Sequence, residues 1–289
     1  MIAIRRRFSF LAAARGTFAG DSCMSSVPAV AEYAAFAASM ADAVRPLSLG
    51  WFRRRLAVDD KADESPVTIA DREVETALRE KIAARYPSHG IWGEEFGKRG
   101  VDAEFVWSVD PIDGTRSFIT GHPLWGTLLA LLQNGKPIVG VIDIPATGER
   151  WVGVNDAASG VHEARFGGEL CRTSPVTVLA DATVYATSPD IFDAAEYAQF
   201  ERLTKAVSRR RFGGDCYAYG LLASGHIELV MEAGLQTYDY LAVAPVVEAA
   251  GGVITDWEGK PLTLTSQGRV LAAANAELHA AALACIRAD

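Results

Sequence analysis

Apolar and polar positions change period along this chain, and the changes predict its elements. From Val30 to Leu56 alanines and larger apolar residues recur at helical spacing, predicting a helix bent at Pro46. Lys61 to Pro66 is polar and reads as a loop. Thr68-Ile69-Ala70-Asp71 then opens a second helix, which runs through Glu75, Leu78 and Ile82 to about Arg85 and stops at Pro87-Ser88-His89-Gly90. Ile91-Trp92-Gly93 is a short strand leading to Glu94-Glu95, and Phe105 to Val109 is an apolar run with the length of a buried strand. Trp125–Gln133, Pro137–Ile144 and Arg150–Val154 follow as successive strands. Turns at Asn134-Gly135 and Ala146-Thr147-Gly148 separate them into a β-meander, and a further hairpin is expected around Gly160 and Gly167-Gly168.

The second half alternates strand and helix. Strands are expected at Thr183–Thr187, Arg211-Phe212, Ile227–Met231 and Val253–Asp256. Helices are expected at Phe192–Val207, Tyr217–Ser224, Tyr240–Ala250 and from Asn275 onward. This order suggests an α/β half behind an α+β half, joined near Leu170–Leu179 without a low-complexity linker.

Between the Phe105–Val109 strand and the meander lies Asp110-Pro111-Ile112-Asp113-Gly114-Thr115. Pro111 keeps Asp110 out of the helical region, and Gly114 permits close backbone approach or positive φ. Such a turn can aim two carboxylates, and the carbonyl between them, at one point. Hard divalent cations want that oxygen-only set. A solvated turn is the plainer reading of these six residues taken alone.

Composition narrows the partners. The chain has 289 residues, 49% hydrophobic and 22% charged, which is ordinary for a globular protein. A net charge of −8 without a basic stripe argues against nucleic acid, while phosphorylated metabolites remain open if cations supply the positive charge. Cys23, Cys171, Cys216 and Cys285 are scattered, suggesting neither a disulfide framework nor a zinc site. No apolar run reaches transmembrane length, and a cytoplasmic protein is expected. Residues 1–23 hold Arg5-Arg6-Arg7 and faint twin-arginine and transit-peptide features. The reading preferred here is an extension outside the folded chain, with Met24 the functional start.

Other acids occur at element ends, each with a plain alternative. Asp71 can be the acid of a capping box with Thr68. Asp215, after Gly213-Gly214, and Asp239, between Tyr238 and Tyr240, can be first-turn acids facing a helix dipole. Glu94-Glu95 can be a solvated pair.

Together the stretches resemble a known group. Gly93-Glu94-Glu95, Val109 to Thr115, and Tyr238-Asp239 followed by Glu248-Ala249-Ala250-Gly251-Gly252 are similar, in order and spacing, to the inositol monophosphatase superfamily of metal-dependent phosphomonoesterases. Lys61 and Ser65 to Asp71 fit its N-terminal motif, and the likeness runs from about Val30 to the C-terminus. It implies an α/β fold, a layered αβαβα sandwich. Residues 24–170 would form the α+β half with the metal and phosphate motif, and 171–289 the α/β half completing the active site.

The resemblance also implies roles. Glu94, Asp110, Asp113 and Asp239 would hold metal through side chains and Ile112 through its carbonyl, with two or three Mg²⁺ ions in all. Glu94 would also count with the catalytic residues. Thr115 would orient the attacking water, paired with Asp71, and the amides of Gly114 and Thr115 would hold phosphate oxygens at a helix start. Bundled carboxylates repel without metal, so cation binding should stabilise the fold. The family commonly forms dimers, and a homodimer is expected.

For the substrate, Thr115 to Gly121, Trp125 to Leu128, Glu149-Arg150-Trp151 and Arg211 to Tyr219 resemble the histidinol-phosphatase branch. Histidinol phosphate carries an ammonium and an imidazole, so its pocket wants acids beyond those that hold metal. Asp215 and Glu232 are placed by the resemblance at the substrate end. Inositol enzymes also carry an acid at the Glu232 position, which makes Asp215 the more telling of the two. Inositol-1-phosphate or another small phosphate ester is the alternative substrate.

Overall fold

The structure, a computed structural model, describes residues 26–55, 59–60 and 66–288. The expectations for residues 1–23, Met24, Lys61 and Ser65 lie outside the described residues.

Helix α1 (Ser26–Trp51) carries Pro46 inside it and ends earlier than the expected Leu56. A two-stranded ladder, β1 (Asp59–Asp60) with β2 (Pro66–Val67), precedes α2 (Ile69–Arg85). Eight strands then form one sheet: β3 (Gly90–Gly93), β4 (Gly97–Arg99), β5 (Phe105–Asp113), β6 (Gly126–Gln133), β7 (Lys136–Ile144), β8 (Glu149–Asp156), β9 (Val161–Phe166) and β10 (Glu169–Leu170). Their order is β10-β9-β8-β7-β6-β5-β3-β4, antiparallel throughout except where β3 lies parallel to β5. The short helix α3 (Thr115–Ile119) sits between β5 and β6.

The second sheet has five strands: β11 (Thr183–Ala186), β12 (Arg209–Phe212), β13 (Leu229–Glu232), β14 (Val253–Thr255) and β15 (Val270–Ala273), in the order β12-β11-β13-β15-β14. Its helices are α4 (Ala194–Ala206), α5 (Tyr217–Ala223), α6 (Thr237–Ala249) and α7 (Ala276–Arg287). Strand β15 was not expected. Val270-Leu271-Ala272-Ala273 is a four-residue buried run that leads toward an alanine-rich helix, and apolar residues without alternation do not announce a strand.

Three apolar clusters bind five layers. Residues of α1 and α2 pack with Trp107, Leu129, Leu131 and Val141 on one face of the large sheet. Leu128, Ala130, Leu132 and Ile142, on the other face, pack with α5 and α6, which also cover Val230, Ile254 and Ala272 of the small sheet. Helices α4 and α7 close the far side around Phe200, Leu229, Leu271 and Leu278. The large sheet is thus covered on both faces, which is why β6 reads as a continuous apolar run instead of an alternating one. The arrangement is the layered αβαβα sandwich.

One polar cluster ties α1 to the sheet. The buried carboxylate of Asp143 on β7 accepts from Arg150 Nε at 2.7 Å and from Arg45. Arg150 in turn donates to Asp42 (2.7 Å) and to the Ala38 carbonyl (3.1 Å). Removing one member of a buried pair leaves the other charge uncompensated. Asp143→Ala is expected to lower the unfolding free energy by about 3–5 kcal/mol, measured by urea denaturation. A loss below about 1 kcal/mol, the range of surface pairs, would contradict this account.

Candidate active site

The central motif is built on an irregular strand end. In a regular strand, residues three apart point to opposite faces. Asp110 and Asp113 escape this because the β5–β6 register shifts between them. Pro111 has no amide to give the ladder. The Ile112 amide donates to Asp110 Oδ1 (3.1 Å), and Thr127 Oγ1 takes up the Pro111 carbonyl at 2.9 Å. Here the structure corrects the expectation of a turn beginning at Asp110: β5 runs through Asp113, and the shift inside the strand brings the carboxylates together.

Asp239 joins them from α6. That helix begins at Thr237, earlier than the expected Tyr240, so Asp239 lies in its first turn. Its Oδ2 accepts from the Gln236 amide at 2.7 Å, so the capping reading holds. The residue nevertheless reaches the cluster. Asp110, Asp113 and Asp239 each offer a carboxylate oxygen, all within 4.8 Å of one another.

Glu94 enters from the turn between β3 and β4. Its amide donates to the Val109 carbonyl at 3.2 Å, which fixes the turn against β5. Its charge reaches both Asp110 and Asp71.

Electrostatics follow from this crowding. Burial, then the charges of Glu94, Asp113 and Asp239, hold the Asp110 carboxyl well above the usual carboxylate range. Burial and Asp113 do the same to Asp239. Burial and Asp215 push Asp113 up to about 7, against the Cys216 amide that donates to its Oδ2 at 2.7 Å. A buried Asp110 crowded by the half-buried Asp113 and Asp239, an oxygen-only donor set, fits a hard divalent cation.

Asp71 does two things at once. Its Oδ2 accepts from the Thr68 amide (2.8 Å) and hydroxyl (2.6 Å), completing the capping box of α2. Its Oδ1 is buried with no hydrogen-bond partner. The Thr115 hydroxyl donates to the Ile112 carbonyl at 3.2 Å, so Asp71 and Thr115 are not bonded to each other. Gly114 precedes α3 with φ at 80° and no side-chain cap. A Cβ there would meet Asp215 Oδ2 at 2.6 Å, so the position requires glycine.

Asp215 is not a cap. Its backbone has φ at 43°, the N-cap position of α5 is Cys216 without a side-chain bond, and the Asp215 carboxylate accepts from Ser117 Oγ at 2.6 Å. Glu232, at the end of β13, accepts through Oε1 from the Thr187 amide (2.8 Å) and hydroxyl (2.9 Å). Its Oε2 and the Tyr219 hydroxyl are both buried without a hydrogen-bond partner. Burial pushes Glu232 up to about 8, with Asp215 and Asp113 adding to it against the Thr187 bonds.

Asp113, Asp215, Glu232 and Asp239 line one cavity of about 180 Å³, with Thr187 and Tyr219 in its wall and no Lys, Arg or His among its lining residues. Ser117, Thr187 and Tyr219 were not read as site residues. Hydroxyl groups have no diagnostic spacing, and Thr187 meets Glu232 only because β11 and β13 are parallel neighbours.

The comparisons with known proteins agree on the family. A family profile described as "Inositol monophosphatase family" matches residues 29–288. The chain is 44% identical over 260 residues to the "Bifunctional phosphatase IMPL2, chloroplastic" of Arabidopsis thaliana, covering 87% of this chain and 74% of that one. It is 36% identical over 243 residues to a "Histidinol-phosphatase" of Chlorobaculum parvum, covering 82% of this chain and 90% of that one. A solved structure of an inositol monophosphatase from Zymomonas mobilis superposes with a TM-score of 0.81 at 40% identity, over 90% of this chain and 99% of that one.

The Glu232 environment gives a signed pH dependence. Its folded-state pKa of about 8 lies above the ordinary 4.5, so the folded form holds a proton that the unfolded form releases. Stability from this group is full below 4.5 and is lost as pH rises through about 8. In EDTA, the melting temperature of Glu232→Gln relative to the parent should therefore rise across that window. Parallel melting curves for the two proteins would contradict the assignment.

Proposed function

The chain belongs to the inositol monophosphatase family, and from that premise we propose that it hydrolyses a phosphate monoester whose alcohol carries nitrogen cations, L-histidinol phosphate. The observation that carries this reading is the cavity wall. Beyond Asp113 and Asp239 it presents two further acids, Asp215 and Glu232, and no cation. An ammonium or imidazolium would satisfy Glu232 Oε2, which now lacks a partner, and would favour the charged form of both carboxylates.

In this reading Glu94, Asp110, Asp113, Asp239 and the Ile112 carbonyl would hold Mg²⁺. Bound there, Mg²⁺ supplies the positive charge that offsets the phosphate dianion and the departing alkoxide. The amides of Gly114 and Thr115 orient the phosphoryl oxygens. The Thr115 hydroxyl, which spends its proton on Ile112, keeps lone pairs to accept from a water. Asp71 Oδ1, a buried acceptor without a partner, would take a proton from that water, while Oδ2 stays committed to the helix cap. Capping and catalysis use different oxygens of one carboxylate.

A second reading is inositol-1-phosphate or another small ester. The solved structure that is 40% identical is of an inositol monophosphatase, and the reacting groups would serve either alcohol.

The reading predicts phosphate release from histidinol phosphate in preference to inositol-1-phosphate and fructose-1,6-bisphosphate, abolished by EDTA. Preference for inositol phosphate would favour the second reading, and activity surviving EDTA would remove the metal. Asp215→Asn should raise KM for histidinol phosphate by about tenfold or more, the scale of a lost charge-assisted bond, and leave a neutral-headed ester little changed. An equal effect on both esters would take Asp215 out of amine recognition. Asp71→Asn retains an acceptor for the Thr68 amide. It should melt close to the parent yet lose roughly 10²-fold or more in kcat; parental kcat in this variant would contradict the role.

A further inference from the structure

Helix α2 sends two buried acids toward the same region, Asp71 and, one turn later, Glu75. They differ in what remains free. Asp71 keeps an oxygen without a partner, whereas both oxygens of Glu75 are taken. Glu75 Oε2 accepts from the Glu95 amide at 2.6 Å, and Oε1 accepts from the Phe96 amide at 3.2 Å and from Arg79 Nε at 2.6 Å. Arg79 also donates, through Nη2, to the Gly97 carbonyl. The pair therefore grips one segment, the turn that joins β3 to β4, at Glu95, Phe96 and Gly97.

That turn carries Glu94. On its other side the Glu94 amide is fixed to the Val109 carbonyl of β5 at 3.2 Å, next to Asp110. The turn is thus clamped between the strand bearing Asp110 and the buried carboxylate of Glu75. The fit is close. A Cβ on Gly93 would overlap Glu75 Oε1 and lie 2.8 Å from Arg79 Nη2, so the glycine before Glu94 is the space that the carboxylate occupies. Three donors on one buried anion make charge-assisted bonds, which are stronger than neutral ones and directional.

We infer that Glu75 is a positioning residue: by holding the Glu94 turn against β5 it sets the affinity of the acidic cluster for a divalent cation, without touching the cation itself. This rests on the reading of Glu94, Asp110, Asp113 and Asp239 as a cation site. Groups that orient ligands from behind are typically worth 10–100-fold in metal affinity, because a misaimed ligand must be reordered on binding.

The test is direct Mn²⁺ binding to the full chain, counted as free Mn²⁺ by electron paramagnetic resonance well below the melting temperature. Glu75→Gln places an amide NH₂ where two backbone N–H groups and a guanidinium donate, so it sets donor against donor. It is expected to weaken Mn²⁺ binding by about 10–100-fold. Its melting temperature should fall in EDTA, because buried donors lose their acceptor, and fall further in Mn²⁺; equal falls in the two conditions are what a merely structural role would produce. Arg79→Lys covers the case in which Glu75→Gln does not fold. It retains Glu75 and its two amide bonds but loses the hold on Gly97, and a several-fold weakening is expected. Parental Mn²⁺ affinity in the folded variants would overturn the inference and leave the cation site standing. A parent protein that binds no Mn²⁺ would overturn the cation reading and this inference with it.

Discussion

Repulsion among crowded carboxylates is the constraint on which the site depends. Glu94, Asp110, Asp113 and Asp239 come from a hairpin turn, a strand and a helix; the charges of Glu94, Asp113 and Asp239 raise the cost of ionising Asp110, and those of Asp113 and Glu94 raise that of Asp239. Burying even one unpaired charge is expensive. The bonds that Asp113 and Asp239 accept from backbone amides do not remove their repulsion of Asp110, so their convergence suits a ligand that reverses the sign of the interaction. A hard cation does so, and a phosphate group can then bind where acids alone would repel it.

The layers explain how these acids reach one point. Strand β5 is an interior strand of the large sheet and ends in the register shift that brings Asp110 and Asp113 together. Helix α6 lies between the two sheets, so its first turn delivers Asp239 to the end of β5 while its body packs on both. The small sheet contributes Glu232 from β13, and the β12–α5 connection contributes Asp215. The acidic cluster therefore belongs to the large sheet and the shared helix layer, whereas Glu232 comes from the small sheet and Asp215 from the connection that leaves it. Reaction and specificity can vary separately on such a plan.

Much of this was legible in the sequence, and the exceptions have physical reasons. The apolar runs of β5 to β8 and the helical period of α2 announce themselves, because a sheet covered on both faces and an amphipathic helix leave clear patterns. Strand β15 does not, since four buried residues with no alternation carry no period. The order of acids around Asp110 to Thr115 was readable, but not the slip at Pro111 that makes two residues of one strand converge. For Asp71 and Asp239 cap and site do not exclude one another: each gives one oxygen to its helix, while Asp239 still joins the cluster and Asp71 still feels the charge of Glu94. For Asp215 the alternatives do exclude one another, and a positive φ with the Ser117 bond decides against the cap. Glu75 reads in the sequence as an ordinary helix acid paired with Arg79 at i+4, because its other partners are the backbone amides of Glu95 and Phe96, distant in sequence.

The central claim is that the acidic cluster is kept for a cation and costs stability without one. Thermal melting of the parent and of Asp110→Asn, each in EDTA and in Mg²⁺ at mildly alkaline pH, tests it most directly. The amide oxygen that this substitution introduces can still accept from the Ile112 amide, so the change removes charge and keeps shape. The account predicts that Asp110→Asn melts higher than the parent in EDTA and loses most of the stabilisation that Mg²⁺ gives the parent. A variant that melts lower than the parent in EDTA and retains the full Mg²⁺ response would contradict it.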